Sequence, residues 1–137
     1  MMELSEELIF GLIDAAKKAR EMAYAPYSGF RVGACIVADS GNKYTGCNVE
    51  NASYGACVCA ERTALFNAVC SGERSFAALL VISDSEDITF PCGICRQTLL
   101  EFISSDMPII CCDKNGAFSI FTMKELMPHS FTKENMK

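Results

Sequence analysis

Two cysteine-bearing stretches constrain this chain more than anything else in it. They are Cys57-Val58-Cys59-Ala60-Glu61-Arg62 and Pro91-Cys92-Gly93-Ile94-Cys95-Arg96-Gln97. A fold that brings them together offers three or four thiolates and one carboxylate to a single point. The chain has nine cysteines, an odd number, in 137 residues. In a secreted mini-protein such a count would suggest a disulfide framework. In a cytosolic chain with a good core, metal or catalytic use is the expectation. Cys35, Cys47, Cys70, Cys111 and Cys112 lie in or beside apolar runs without ligand spacing, and read as small buried hydrophobes.

Half the residues are apolar, enough for one ordinary core, so residues 1–137 are expected to form a single domain. The formal charge of -5, from 12 basic and 17 acidic residues, argues against a polynucleotide partner. No apolar run reaches the length of about 18 residues that a membrane helix needs. The first residues, Met1-Met2-Glu3-Leu4-Ser5-Glu6-Glu7, are acidic and lack the pattern of a secretion signal, so a cytoplasmic location is expected.

Residues 5–23 read as a helix capped by Ser5, with Leu8, Ile9, Leu12, Ile13 and Ala16 on one face and Pro26 beyond its end. An aromatic loop, Tyr24 to Phe30, follows. Residues 31–38 and 43–49 flank the turn Asp39-Ser40-Gly41-Asn42 and read as a hairpin. A helix is expected over 58–71, stopped by Gly72, and a strand buried on both faces over 77–83. A further helix over 92–104, strands over 108–112 and 117–121, and a short helix opened by the capping box Thr122-Met123-Lys124-Glu125 complete the order. The alternation predicts a three-layer α/β/α sandwich around a mixed, five-stranded sheet.

Cys92 and Cys95, three apart on a helix, are expected to share a face, and C-x-x-C is a common half of a zinc site. Cys59 and Glu61, two apart, can both reach one ion only if their helix meets it end-on. Two helix N-termini aimed at one zinc are therefore expected. If Cys57 joins Cys59, Cys92 and Cys95, the site is closed and structural. If it does not, one position stays open for water, and Glu61 has a proton-handling task there. Three thiolates leave a zinc site at net charge -1, which Arg62 can offset.

These stretches resemble the zinc-dependent cytidine deaminase superfamily, specifically its small homotetrameric members. Tyr27-Ser28-Gly29-Phe30-Arg31-Val32-Gly33-Ala34, Gly46-Cys47-Asn48-Val49-Glu50-Asn51-Ala52, Cys59-Ala60-Glu61-Arg62-Thr63-Ala64, the Pro91 stretch and the ending Glu125 to Phe131 all carry the likeness. It implies hydrolytic deamination of cytidine and deoxycytidine to uridine and deoxyuridine plus ammonia, as in pyrimidine salvage. One zinc per subunit would sit on Cys59, Cys92 and Cys95, with its hydroxide attacking C4 and Glu61 shuttling protons. The resemblance also implies that Phe30, Asn48, Glu50, Ala52, Tyr54, Ala60 and Phe131 bind substrate, some of them for a neighbouring subunit. Arg62 resembles the arginine that tempers the thiolate charge. The chain departs from the pattern at His129-Ser130; His129, the one histidine, reads as an ordinary tail residue.

Three other readings stay open at this stage. One is a deaminase for another cytosine-bearing compound such as an aminoacyl nucleoside antibiotic. Another is a zinc-stabilised binding module with Cys57 as fourth ligand, and the last is a Cys92–Cys95 redox pair.

Overall fold

The structure, a computed structural model, describes residues 3–137. Helix α1 spans Glu6–Glu21, and the Ser5 hydroxyl accepts the Leu8 N–H at 3.1 Å, satisfying a donor that the first turn leaves free. Glu6 and Glu7 lie at its positive end, and Lys18 and Arg20 at its negative end. Strands β1 (Val32–Ala38) and β2 (Lys43–Cys47) form the expected hairpin. Helix α2 (Ala60–Cys70), β3 (Phe76–Ser83), α3 (Gly93–Leu100), β4 (Pro108–Cys112), β5 (Phe118–Thr122) and α4 (Met123–Leu126) follow. Single 3-10 turns cover Tyr54–Ala56 and Lys133–Met136.

The sheet runs in the order β2-β1-β3-β4-β5. Only β3 and β4 pair in parallel; the other neighbours are antiparallel. A parallel neighbour requires a crossover, and α3 lies within it. The three central strands are buried on both faces, and their alternating side chains fill two separate cores. Cys35, Val37, Leu80, Ile82, Ile110 and Cys112 pack with Leu12, Ile13 and Ala16 of α1. Ala34, Ile36, Leu79, Val81, Ile109 and Cys111 pack with Ala64 and Leu65 of α2, Leu99 of α3 and Met123 of α4. That is the expected three-layer sandwich, with α1 alone on one side.

Two glycines fix how closely the layers approach. A Cβ on Gly33 would lie 2.0 Å from the Ala16 carbonyl oxygen of α1. One on Gly46 would lie 2.3 Å from the Ala64 nitrogen and 2.7 Å from the Ala60 oxygen of α2. Backbone therefore rests on backbone at both contacts.

Element ends move where tertiary partners intervene. The second strand was expected to reach residue 49, but it stops at Cys47. Asn48 N–H still donates to Val32 O at 3.3 Å, and only then does the chain leave β1: Val49 exchanges two 3.0 Å backbone hydrogen bonds with Val58, and Glu50 N–H donates to Tyr24 O at 2.8 Å. Helix α3 ends at Leu100 rather than 104, its last turn tightened as the Glu101 N–H donates to Thr98 O at 3.3 Å and the Phe102 N–H to Leu99 O at 3.0 Å. Of the cysteines read as buried hydrophobes, Cys35, Cys111 and Cys112 are fully buried, and burial pushes their thiols up to about 11, 12 and 12. Cys47 is half-buried, and Cys70 is exposed at the last residue of α2, where no element covers it.

Candidate active site

Both cysteine stretches end in a helix start. Cys59 is the N-cap of α2 (φ −75°, ψ 156°) and Cys92 the N-cap of α3 (φ −68°, ψ 168°). Cys92 and Cys95 are thus not two helical residues side by side, as their spacing suggested. Cys92 is extended, and its sulfur accepts the Cys95 N–H at 3.5 Å as a cap. The Cys59 and Cys92 sulfurs lie 3.7 Å apart and those of Cys92 and Cys95 3.4 Å apart. All three fall within 4.8 Å of one another. A tetrahedral zinc with sulfurs at about 2.3 Å needs them about 3.8 Å apart, so the trio fits such an ion.

Cys57 is not part of this cluster among the described residues. Its sulfur accepts the Asn51 N–H at 3.2 Å and donates to Asn51 O at 3.6 Å, bracing the 51–57 loop. Arg62, by contrast, turns to the trio. Its Nη2 donates to the Cys59 sulfur at 3.6 Å and to Cys57 O at 3.5 Å, while its buried Nε has no partner. Burial works to lower the Arg62 pKa, but hydrogen bonds to Cys59 and Cys95 outweigh it and raise it. Cys59 is pulled down to about 5, chiefly by the hydrogen bond from Cys95 and then by Arg62. That same bond, with burial, drives the Cys95 thiol up.

Glu61 is the second residue of α2 and only 4% exposed. Burial raises its carboxyl to about 7. A cavity of about 290 Å³ is lined by Cys59, Glu61 and Cys92 together with Phe30, Asn48 and Glu50. That volume lies close to the lower end of the range of about 300–1,000 Å³ typical of small-molecule sites. Thr89 and Phe90 also line it and had no signal in the sequence beyond a loop. Thr89 is held there by the buried Ser83 hydroxyl. A larger cavity, of about 660 Å³ beside Asp39, Phe76 and Pro108, contains none of these groups.

Three of the expected substrate residues therefore meet the cysteine trio, and their loops are tied together. Asn48 Oδ1 accepts the Val32 N–H at 2.9 Å, and its Nδ2 donates to Phe30 O at 2.8 Å. Glu50 Oε1 accepts the Tyr27 and Ser28 N–H groups, each at 3.0 Å, and Oε2 accepts the Ser28 hydroxyl. These bonds, led by the Ser28 hydroxyl, hold the Glu50 carboxyl below its ordinary range. Arg31 is anchored on Asp84 through its backbone N–H at 3.1 Å and its side chain at 3.0 and 3.1 Å.

The others do not line this cavity. Ala60 is fully buried at the first position of α2, where its N–H has no intrahelical partner. Ala52 is exposed on the loop before the 3-10 turn. Tyr54 is 73% exposed, edge-on to Tyr27 in an adjoining cavity. Phe131 is 61% exposed, with its carbonyl accepting from Gln97 Nε2 at 2.8 Å.

Residues 9–111 match the family model described as the cytidine and deoxycytidylate deaminase zinc-binding region. The chain belongs to this deaminase family. A cytidine deaminase of Sporosarcina psychrophila is 48% identical over 91% of this chain and 92% of its own. One from Halalkalibacterium halodurans is 44% identical over 91% and 95%. The crystal structure of the cytidine deaminase from Burkholderia pseudomallei superposes with a TM-score of 0.87 at 44% identity, covering 93% of this chain and 100% of that one. The deaminase likeness thus extends across the sheet, both helix starts and the loops that wall the cavity.

Proposed function

We propose that this protein hydrolyses the exocyclic amino group of cytidine and deoxycytidine, giving uridine or deoxyuridine and ammonia, with one zinc per subunit. The observation that carries the reading is a trio of sulfurs at zinc spacing, left one donor short by Cys57, with a buried carboxyl opening on the same cavity. Cys59, Cys92 and Cys95 would hold the ion. Zinc bound there would bring the pKa of a water toward about 7 and so supply the nucleophile.

The chain's own groups do the rest. Glu61, raised to about 7 by burial, is matched to both taking and giving a proton near neutrality. It removes a proton from the attacking water and places it on ring N3, then takes the second proton from the hydroxyl now on C4 and delivers it to the departing ammonia. Arg62 sets a positive charge against the sulfurs, limiting the negative charge that opposes loss of that proton. Phe30 packs against the pyrimidine, and the free N–H at Ala60 faces the ring's polar edge. Asn48 has spent one of two amide protons on Phe30 O and keeps the other for a ribose hydroxyl. Glu50 Oε2 likewise keeps acceptor capacity after the Ser28 bond.

Ala52, Tyr54 and Phe131 lie outside the cavity of their own chain. The proposed assembly is a homotetramer in which these residues serve neighbouring cavities. No described helix is long and apolar enough to cross a membrane, and cytoplasmic salvage of nucleosides suits this chemistry.

The test is a cytidine and deoxycytidine absorbance assay beside a zinc determination. One zinc per chain and turnover of both nucleosides are expected, and Glu61→Ala should keep the metal and lose activity by at least about 10²-fold. Zinc-loaded protein that turns over neither nucleoside, or zinc that survives Cys59→Ser, would sink the reading.

A further inference from the structure

Ser28 belongs to no catalytic or metal motif, yet its side chain is the point at which two parts of the pocket meet. Its hydroxyl oxygen accepts the Phe30 N–H at 3.0 Å, and its single proton goes to Glu50 Oε2. A hydroxyl has one proton to donate, so these two bonds fix its orientation. Its own backbone N–H donates to Glu50 Oε1. Ser28 thus lines both the cavity that holds Glu61 and the adjoining one that holds Tyr54.

Each oxygen of Glu50 is held differently. Oε1 receives two backbone donors, which no side-chain substitution removes. Among the described residues, Oε2 receives only the Ser28 hydroxyl. Without that bond, Oε2 loses the contact that fixes where its remaining lone pair points. Phe30 loses its short-range backbone tie through the same change. Asn48 still grips Phe30 O, so the loop itself stays attached.

We propose that Ser28 is a positioning residue that sets sugar specificity, orienting the Glu50 carboxylate toward the ribose. The inference rests on the deaminase reading above. It acts through Glu50, so its effect depends on the hydroxyls that the sugar presents. Binding of a nucleoside that offers Glu50 a hydroxyl carries the orientation cost once Ser28 is gone. Binding of one that offers none does not.

The test compares Ser28→Ala and Ser28→Thr with the unaltered protein, using cytidine and 2′,3′-dideoxycytidine, the latter followed as substrate or as competitor. Ser28→Ala should raise KM for cytidine by about tenfold, as expected for losing one hydrogen bond to a charged group. Its kcat for cytidine and its affinity for dideoxycytidine should be unchanged, and Ser28→Thr, which keeps the hydroxyl, should restore KM. An equal loss with both nucleosides would make Ser28 a general loop brace and overturn the proposal. So would a fall in kcat alone, or no change. If Ser28→Ala does not fold, Ser28→Cys, of similar shape but a weak donor, carries the same comparison. Failure of the deaminase reading would be seen separately, as no turnover of cytidine by the unaltered protein.

Discussion

Glu61 shows how one position can serve chemistry at the expense of stability. Its folded value of about 7 stands above the ordinary 4.5 because burial penalises the charge. Between those values the folded state holds a proton that the unfolded chain has released. The metal-free protein should therefore lose stability as pH rises through that window, and Glu61→Gln should remove the loss. The expected gain above pH 7 is on the order of 1–3 kcal/mol, read from urea midpoints of chelated protein across about pH 5–8. Parallel midpoint curves for the two proteins would contradict it. That Cys59, Cys92 and Cys95 would come together beside Glu61 was legible in the sequence, because their spacing is that of a zinc site. Cys57 was not, since C-x-C is the same pattern whether its sulfur binds an ion or, as here, the Asn51 backbone. Ser28 stood in a stretch that carries the family likeness, but its bond to Glu50 was not legible, because that partner lies 22 residues away.

At the level of elements, every helix and strand was foreseen in order, because hydrophobic period and caps are local. What periodicity cannot contain is where an element abandons one partner for another. Val49 continues the alternation of β2 but pairs with Val58, and Cys92 continues the α3 pattern but stands outside the helix as its cap. Gly46 is a second such case. Its sequence context reads as a strand glycine, whereas its role is to let β2 touch the first turn of α2. Gly46→Ala should cost about 1–3 kcal/mol or more, because one backbone must move off the other. It should also speed zinc release, since α2 carries Cys59. Gly55→Ala, where an added Cβ meets nothing within 4 Å, is the control. Equal melting temperatures and equal zinc release in the two variants would refute the contact's importance.

Across the whole molecule, large apolar side chains remain uncovered. Val49 and Phe66 are each 44% exposed, and with Cys70 they line one groove over α2. Such a patch is costly on an isolated subunit and fits the proposed tetramer. Phe66→Asp should lower the mass seen by light scattering and, with it, activity, because Tyr54 and Phe131 would no longer reach a neighbour's cavity. An unchanged mass, or a dissociated protein with full activity, would count against shared sites. The sulfur trio also has a mechanical meaning. A cation spanning it closes the backbone from Cys59 to Cys95 into a ring, and β3, the middle strand of the sheet, runs inside that ring. Tension applied at the two termini would pass through the metal–sulfur bonds and leave the enclosed strand slack. Single-molecule pulling should then show an extension short by the whole stretch from Cys59 to Cys95 until the bonds rupture, and a single, full-length extension once the cation is stripped.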